Sequence, residues 1–546
     1  MGKKKTKNPE NSGDAPPKEG QQQQPANGAS SPKTPQSPTS PTEGKKGKNE
    51  PAGPPPPLRF VCRGRGLVQG FGGPEWGPVE GYDLPPCDEV DVCMSPDGTM
   101  LVAPDHKADC VNVCDAFTGQ VKLSIPEGKV LNFAVSPKNT YVVTFRRHEK
   151  DDQPNLKVWE IATGQEVRSI QQNRWPALTW TSDEAYCIRQ TNNGLQCLNN
   201  ATWAAEKETS KLENPKVEAV AMSPGLPPYV AVFTPAHKGQ PGHVKVYKAP
   251  NLVDDVVQKT MFKADSCDIY WNNPGTAVIV NCKTDSDSTG KSYYGESMVY
   301  LMLPKQKESM NIMTGKTGER VHDIAWAPNG NEFILVFGEM PQNKATLFNM
   351  KAEPLFEFGT GPKNTVAWAP NSRFIALCGF GNLAGDIQFW DRWKLDKGKM
   401  AGCKLNSCTT HAWSMDSRSF VCGVTSPRMK VDNKITVFKH NGQQLFTTPF
   451  PNELYQVCHK PEKGKLFPNR DPSPPPAGAK AAEEAAAPAV YKARGSSGLS
   501  AMLRKEREGG GSSSGSGAIK SGYQAEYIPG MPPPKPAAKK GKGGKK

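Results

Sequence analysis

The sequence predicts an all-β protein: a nine-bladed WD-type β-propeller over residues 58–470, with a disordered basic tail on each side. Three observations lead to this prediction. Large apolar and aromatic residues are concentrated in the middle of the 546-residue chain, a strand–corner–strand pattern recurs there eight times, and a ninth copy is divided between the two ends of this region. Repeats of this length and pattern are typical of the four-stranded blades of a propeller.

Residues 1–57 and 471–546 are predicted to be disordered because Pro, Gly, Ser, Gln, Ala and Lys dominate them and large apolar residues are few. The first tail has nine lysines against five acidic residues, and the second has 13 basic against six acidic residues, so the tails carry +11 of the formal net charge of +14. A mobile basic arm suits a polyanion such as RNA; a solubilising role is the alternative. The candidate phosphate contacts are Lys3, Lys4, Lys5, Lys45, Lys46, Lys48, Lys539, Lys540, Lys542, Lys545 and Lys546.

The sequence predicts a cytoplasmic protein that holds neither a metal nor a cofactor. All 14 cysteines lie in 58–470 without the paired C-x-x-C and histidine spacing of a zinc site, and their apolar neighbours indicate core packing in a reducing compartment. No apolar run reaches the roughly 18 residues of a membrane helix, and the N-terminus lacks the apolar stretch of a signal peptide. Gly2 and Thr6 fit a myristoylation pattern, but we expect neither lipidation nor membrane contact.

Each full copy of the repeat begins with an alternating strand that ends at a polar corner, as in "VDVCMSPDGTMLVA" and "HDIAWAPNGNEFILVF". A second apolar strand, a looser loop and a third strand such as "NLKVWEIATG" follow. Alternation with a period of two indicates strands, and Pro, Asn and Gly suit the backbone of the corners. The corner residues are Ser95, Ser136, Thr181, Ser223, Asn272, Ala327, Ala369 and Ser414.

The ends of the repeat region are predicted to join in one blade. The segment "LRFVCRGRGLVQGF" supplies two short strands without a corner, and 453–467 supplies a strand, a Pro corner and a strand. Pairing of 58–76 with 453–468 would complete a ninth blade and remove two exposed sheet edges. Eight blades is the alternative count, and a closed ring is expected to be a monomer.

The glycine-rich stretch "CGFGNLAGDIQFWD", residues 378–391, has two interpretations. A phosphate-binding loop would need a helix directly after its glycines, whereas "GDIQFWD" alternates as a strand does, so the segment is assigned to a blade. In its loop, Phe380 is a candidate surface anchor for a partner, together with Gly379, Gly381 and Asn382. The alternative is a structural turn in which Gly and Asn adopt positive φ angles. The same two alternatives hold for "FGTGPKN", 358–364.

Two further segments are candidate binding elements. The insertion 283–297 is longer than a hairpin needs, and Tyr293 and Tyr294 in it would stack on an RNA base or cover the edge of a blade. The stretch 500–508, "SAMLRKERE", would fold as a short helix on a partner or remain a linker.

The sequence gives no support for an enzyme. Its eight histidines lie singly, and no serine or cysteine has the neighbours of a catalytic nucleophile. Binding is therefore the expected activity.

Several segments resemble one family closely, namely "SYYGE" (292–296), "KATLFNMKAEPLFEFGTGPKN" (344–364), "GFGNLAGDIQFWD" (379–391) and "LYQVCHKP" (454–461). They are similar to eukaryotic translation initiation factor 2A. The resemblance covers about 58–470 and follows loops as well as strands. It implies a nine-bladed propeller that associates with the small (40S) ribosomal subunit. It also implies a non-enzymatic factor that brings initiator methionyl-tRNA there without requiring GTP, with rRNA, mRNA and other initiation factors as further partners.

One alternative stays open, namely a propeller scaffold for protein–protein interactions, such as an assembly platform similar to the b subunit of initiation factor 3. That subunit carries an RNA-recognition fold ahead of its propeller, and the first 57 residues here contain no such segment.

Regulation is expected in the first tail, where phosphorylation at four Ser/Thr-Pro sites would oppose its positive charge. These sites are Ser31, Thr34, Ser37 and Ser40.

Overall fold

The computed structural model describes residues 59–73, 76–84, 87, 90–148, 153–176, 178–214, 216–285, 295–312, 314, 318–450, 452–461 and 467–475. Within these ranges the chain forms nine four-stranded antiparallel sheets. The prediction of a nine-bladed propeller is confirmed, and the eight-bladed alternative is wrong. The chain begins with β1 (Arg59–Gly64), β2 (Leu67–Gly72) and β3 (Gly77–Asp83).

Blades 1 to 4 follow in chain order. Blade 1 contains β4 (Cys93–Met94), β5 (Met100–Asp105), β6 (Cys110–Asp115) and β7 (Val121–Ile125). Blade 2 contains β8 (Val130–Val135), β9 (Tyr141–Arg146), β10 (Leu156–Glu160) and β11 (Glu166–Ile170). Blade 3 contains β12 (Leu178–Trp180), β13 (Tyr186–Thr191), β14 (Gly194–Asn199) and β15 (Lys211–Glu213). Blade 4 contains β16 (Ala219–Met222), β17 (Tyr229–Thr234), β18 (Gly242–Lys248) and β19 (Asp255–Met261).

Blades 5 to 8 repeat this plan. Blade 5 contains β20 (Ser266–Trp271), β21 (Val278–Lys283), β22 (Ser297–Leu303) and β23 (Glu308–Asn311). Blade 6 contains β24 (Val321–Trp326), β25 (Glu332–Phe337), β26 (Asn343–Asn349) and β27 (Pro354–Gly361). Blade 7 contains β28 (Thr365–Trp368), β29 (Phe374–Cys378), β30 (Asp386–Asp391) and β31 (Ala401–Lys404). Blade 8 contains β32 (Thr410–Trp413), β33 (Ser419–Val424), β34 (Lys434–Lys439) and β35 (Gln444–Pro449).

The ninth sheet closes the ring. Strand β36 (Leu454–His459) pairs antiparallel with β1, and the order of this closing blade is β3–β2–β1–β36. The N-terminal segment therefore supplies three strands, one more than the two that the sequence suggested. The strand expected after the Pro corner falls largely on 462–466, which lie outside the described residues, so it stays a prediction. Two short 3₁₀ helices, Glu208–Ser210 and Arg392–Lys397, complete the secondary structure of the described residues.

The core lies between blades rather than at one centre. Buried apolar residues form nine clusters, and each cluster joins two neighbouring blades, including both interfaces of the closing blade. One cluster, for example, packs Phe233 and Val246 of blade 4 against Val280 and Cys282 of blade 5. Because every sheet is covered on both faces, its strands are apolar on both sides in their middle.

A series of tryptophans connects consecutive blades from blade 4 to blade 8. The indole of Trp326, the last residue of β24, donates a hydrogen bond to the Tyr270 carbonyl of the previous blade at 2.9 Å. The other three bonds of the series are Trp271 to Ala221, Trp368 to Ala325 and Trp413 to Ala367. The sequence places each of these tryptophans directly before a corner, so the repeat encodes the register of neighbouring blades.

Replacing Trp368 with phenylalanine is expected to lower the free energy of unfolding by about 1–3 kcal/mol, since the Ala325 carbonyl loses a donor in a buried interface. Equilibrium denaturant unfolding measures this. The same change at the exposed Trp393 is the matched control. Equal stability of the two variants would contradict a stabilising role for the bond between blades.

The alternating strand directions define two faces of the propeller. The first strands of neighbouring blades contact one another, as β16 contacts β20 and β24 contacts β28, so they are the inner strands. In every blade the strands are counted outward from the inner strand, which is β36 in the closing blade. The loops after the first and third strands lie on one face, which we call the corner face because it carries the polar corners. The loops after the second and fourth strands lie on the opposite face, which we call the crossover face.

Candidate RNA and partner interfaces

The loop 379–382 connects β29 to β30 on the crossover face, and a strand follows the glycines as predicted. The Phe380 side chain is only 6% exposed and packs against the His411 ring, with centroids 5.2 Å apart. Its expected role as a surface anchor is therefore wrong, because burial in the interface between blades 7 and 8 keeps this ring from a partner. Of the four residues, only Asn382 is exposed.

The backbone of this loop explains its glycines. Gly381 has a φ of 72°, and a Cβ on Gly379 would lie 2.2 Å from the Pro362 carbonyl oxygen. The Asn364 side chain both donates to the Phe380 carbonyl and accepts from its N–H, at 2.9 Å each. These contacts favour the structural-turn interpretation of Gly379 and Gly381.

A cavity of about 330 Å³ nevertheless opens beside the loop, between blades 6, 7 and 8. Arg428 of blade 8 lies at its rim and donates to the Asn382 side chain at 3.2 Å. Asn382 and Arg428 are thus exposed polar groups at the rim of this cavity.

The segment 358–364 is held inside the fold. Lys363 is buried, and its ammonium donates to the Gly359 carbonyl at 3.0 Å and to the Phe358 carbonyl at 3.3 Å. Burial without a carboxylate lowers the pKa of Lys363. This lysine closes a turn between blades 6 and 7 and is not available to bind RNA.

The other predicted site residues lie outside the described residues. These are Tyr293 and Tyr294, the helical candidate 500–508, Gly2, all the tail lysines and the four phosphorylation sites. Their assignments stay predictions.

The sequence reasoning missed an aromatic and basic site on the corner face of blade 7. Trp393 lies in the 3₁₀ helix that follows β30, and its side chain is 61% exposed. The Arg373 guanidinium carbon lies 4.1 Å from the ring centroid. The Asp391 carboxylate also accepts from the Trp393 N–H at 3.1 Å, which caps this short helix. Trp393 is therefore held on one side and open to solvent, and we call this site the Trp393 platform.

Three lysines follow Trp393 closely in the sequence. Lys394 is half-buried, whereas Lys397 and Lys399 are exposed. A rigid aromatic ring beside several cations is the combination with which proteins stack unpaired bases and hold their phosphates. The signal was present in the sequence as "RWKLDKGK", a tryptophan among lysines directly after a strand.

Beneath Trp393, Arg373 and Asp391 form a buried ion pair. Arg373 Nη2 lies 2.9 Å from Asp391 Oδ2, and Arg373 Nε lies 3.0 Å from Asp391 Oδ1. Both side chains are less than 5% exposed. The bond to Asp391 raises the pKa of Arg373, so the guanidinium is charged at every accessible pH.

The described chain after β36 returns across the corner face. Arg373 donates to the Arg470 carbonyl at 3.3 Å, Arg418 donates to the Asp471 carbonyl at 2.8 Å, and Asn441 donates to the Pro474 carbonyl at 2.7 Å. We call residues 467–475 the strap. The packed part of the chain therefore extends beyond 470, where the sequence suggested that the second tail begins.

The cysteines behave as core residues. All 14 are free, ten are buried, and burial raises the pKa of Cys114 to about 11 and of Cys197 to about 12. Thiols with such pKa values are poor nucleophiles at neutral pH.

The described residues contain no group of three or more His, Cys, Asp or Glu side chains arranged to hold a metal ion. In the same residues, no helix has the length and apolarity to span a membrane.

Comparison with known proteins identifies the family. A family described as "Eukaryotic translation initiation factor eIF2A" matches residues 259–457. Eukaryotic translation initiation factor 2A of Schizosaccharomyces pombe is 33% identical over 454 residues, which cover 79% of this chain and 77% of that protein. The chain belongs to the eukaryotic translation initiation factor 2A family.

Other members of the family agree. The Dictyostelium discoideum protein is 31% identical over 427 residues, covering 76% of this chain and 68% of its own length. A solved structure titled "Crystal structure of the eukaryotic initiation factor" superposes with a TM-score of 0.66 at 30% identity, covering 74% of this chain and 98% of that one. The resemblance read from the loops is thus confirmed, and the chain has relatives that are translation initiation factors.

Proposed function

We propose that this protein is a non-enzymatic translation initiation factor that binds the 40S ribosomal subunit and promotes delivery of initiator methionyl-tRNA without requiring GTP. The observation that carries the proposal is the family relationship, which extends over most of the propeller. Initiator tRNA, rRNA, mRNA and other initiation factors are the partners that fit this role.

The propeller has the physical properties that such a role needs. A closed ring of nine blades is a rigid scaffold, and its loops present binding groups in fixed positions. The Trp393 platform combines an open indole ring with the exposed Lys397 and Lys399. These groups match the bases and phosphates of the tRNA, rRNA and mRNA among the proposed partners.

The glycine-rich loop of blade 7 does not have the form of a phosphate-binding loop. Gly379, Gly381 and Gly385 lead into strand β30, so the loop does not direct the amides of a helix N-terminus at a phosphate. Asp386 of that strand accepts the Gly379 N–H through its carbonyl. The Gly379 N–H is therefore already bonded within the fold.

Gradient co-sedimentation with purified 40S subunits, at low and moderate salt, tests the proposal. The full chain is compared with 57–475, which keeps the strap on the corner face. Migration of both proteins with the subunit supports docking through the propeller. Migration of the full chain only, with steep release by salt, assigns the binding to the tails. Failure of both would contradict 40S binding and leave the interaction-scaffold alternative.

Replacing Trp393 with alanine is expected to weaken 40S binding about tenfold, since stacking of one base contributes about 1–3 kcal/mol. Co-sedimentation across a range of subunit concentrations measures this. Phe262→Ala is the matched control, because Phe262 is a 92% exposed aromatic residue on the opposite, crossover face. Equal binding by the two variants would show that the Trp393 platform is not a docking site.

A further inference from the structure

A large cavity lies on the crossover face of blade 3, away from the Trp393 platform. Its volume is about 620 Å³, and it lies between the turns at 171–176 and 213–217 and the β13–β14 hairpin. Asn and Gln side chains dominate its lining, together with Arg174 and Arg189. We call this cavity the arginine basin.

The arginines of the basin have no carboxylate partner. Arg189 is half-buried, and it donates from Nε to the Gln172 side chain at 3.1 Å and from Nη2 to the Gln171 carbonyl at 2.5 Å. Neither Arg174 nor Arg189 forms an ion pair with any of the residues that the structure describes. Glu213 also lines the basin, but it is exposed and does not pair with them.

This contrasts with other arginines of the propeller. Arg63, Arg146, Arg373 and Arg392 each contact a carboxylate. Arg174 is exposed, but Arg189 is partly desolvated, and such a cation normally has a carboxylate partner, since removing charge from water is costly. Burial and the nearby positive charge of Arg168 lower the pKa of Arg189, which agrees with an uncompensated cation in this cavity. An anion in the basin would supply the missing charge.

Amide side chains around the arginines indicate which class of anionic ligand the basin would bind. The Asn173 amide donates to the Asn192 side chain at 3.0 Å at the rim. The Asn193 and Gln196 side chains line the cavity and make no hydrogen bond to the described residues. An amide both donates and accepts, as do base edges and ribose hydroxyls, whereas an acidic peptide side chain offers acceptors only. The lining therefore favours a nucleotide over an acidic peptide.

A second, smaller basic cavity lies next to the basin, on blade 2. It has a volume of about 230 Å³, and its lining includes Lys129, Arg147 and Asn155. The Asn155 amide donates to the Gln172 carbonyl at 2.8 Å, so the two cavities share a wall. Two basic cavities in succession suit a strand with repeating phosphates better than an isolated nucleotide.

We propose that the arginine basin binds an unpaired RNA strand, with a phosphate at Arg174 and Arg189 and a base edge or ribose on the amide side chains. An unpaired strand can turn single bases into a cavity of this size, which a duplex cannot do. The proposal concerns any unpaired RNA and does not depend on the proposed function.

The test uses the full chain and a labelled single-stranded RNA of about ten nucleotides containing 4-thiouridine. Binding is measured against salt concentration, and photo-crosslinked peptides are mapped, because the basic tails are also expected to bind RNA. Arg189→Gln is expected to weaken binding about tenfold and to reduce the salt slope by about one. Crosslinks within 171–196 are expected to disappear, while crosslinks in the tails remain.

Arg428→Gln is the matched control, since Arg428 is an exposed arginine on the same face that also contacts an amide side chain. Equal effects of the two variants, or equal crosslinking at 171–196 in both, would overturn the proposal. Displacement of the RNA from the basin by an oligo-glutamate peptide but not by unlabelled RNA would also overturn it. The unfolding midpoint of each variant is measured, so that loss of fold is recognised; for a variant that unfolds early, Arg174→Gln replaces Arg189→Gln.

The same variants separate this inference from the proposed function. An Arg189→Gln protein that loses oligonucleotide crosslinks in 171–196 and still sediments with 40S subunits supports the basin and assigns subunit docking to another surface. A full chain that binds the oligonucleotide in the basin but never sediments with the subunit contradicts the proposed function only.

Discussion

Replacing Asp391 with alanine is expected to lower the free energy of unfolding by about 3–5 kcal/mol, the largest effect that we predict for one substitution. The change removes the buried counter-charge of the Arg373 guanidinium and both of its hydrogen bonds to Asp391, and it leaves only the exposed Asp471 carboxylate, 3.5 Å away. It also removes the cap of the short helix that carries Trp393. Equilibrium denaturant unfolding measures the loss.

The half-buried ion pair between Arg392 and Glu332 provides the control. These side chains are 28% and 20% exposed, so water screens their charges and Glu332→Gln is expected to cost about 1 kcal/mol or less. The double variant Arg373→Met, Asp391→Leu is expected to recover most of the stability, because it removes both buried charges. A loss at Asp391 no larger than the loss at Glu332 would contradict this account.

Lowering the pH from about 7 to about 4 is expected to destabilise the propeller by about 3 kcal/mol for each of two histidines, the buried His440 and the half-buried His459. Burial lowers the pKa of His440 from 6.5 to about 4, and the positive charges of Arg418, Lys439 and Arg373 add to this effect. Burial likewise lowers the pKa of His459 from 6.5 to about 4.

The sign follows from the difference between the folded and unfolded states. Above pH 6.5 both histidines are neutral in both states, so the stability is fully present. Between pH 6.5 and 4 the unfolded chain binds protons that the folded chain does not, and the stability falls as the pH falls. Below about 4 both states are protonated and this contribution is lost.

His440 also couples this titration to the strap. Its Nδ1 bonds the Arg418 carbonyl at 3.0 Å, and its Nε2 accepts from the Ser473 N–H at 2.9 Å. A proton on Nε2 removes this acceptor, so the strap is expected to detach from the corner face as the pH falls.

His440→Gln tests the contribution of this group, because the amide keeps a donor and an acceptor without titrating. Its unfolding free energy is expected to change less between pH 7 and 4.5 than that of the parent protein, and His237→Gln, on an exposed turn of the crossover face, is the control. A pH dependence unchanged by His440→Gln would remove this histidine from the explanation.

The number of blades and the first three strands of each full repeat could be predicted because each repeat carries its own local signals. Alternation over segments such as 321–326 specifies a strand, and the polar corner after Trp326 specifies where it ends. From blade 5 to blade 8 the connection between blades is also encoded locally, since the tryptophan before the corner supplies the hydrogen bond to the previous blade. The loops also carried enough detail to identify the family.

The sites were harder to predict, because exposure depends on packing between distant segments. Phe380 and Trp393 are both aromatic residues next to strand β30. Phe380 is buried because His411 of the next blade packs against it, whereas Trp393 is open because its support, Arg373, lies on one side only. The arginine basin joins residues 171–176, 186–196 and 211–217, which no short motif relates.

By itself, the sequence determined the all-β class, nine blades and the family, since these depend on periodic patterns within about 45 residues. Only the tertiary structure decided which loops face solvent, which arginines lack a carboxylate, and that 467–475 returns across the corner face. The physical reason is that burial and charge pairing are properties of surfaces brought together by ring closure. Arg373 and Asp471, for example, are 98 residues apart in the chain and within 3.5 Å in the fold.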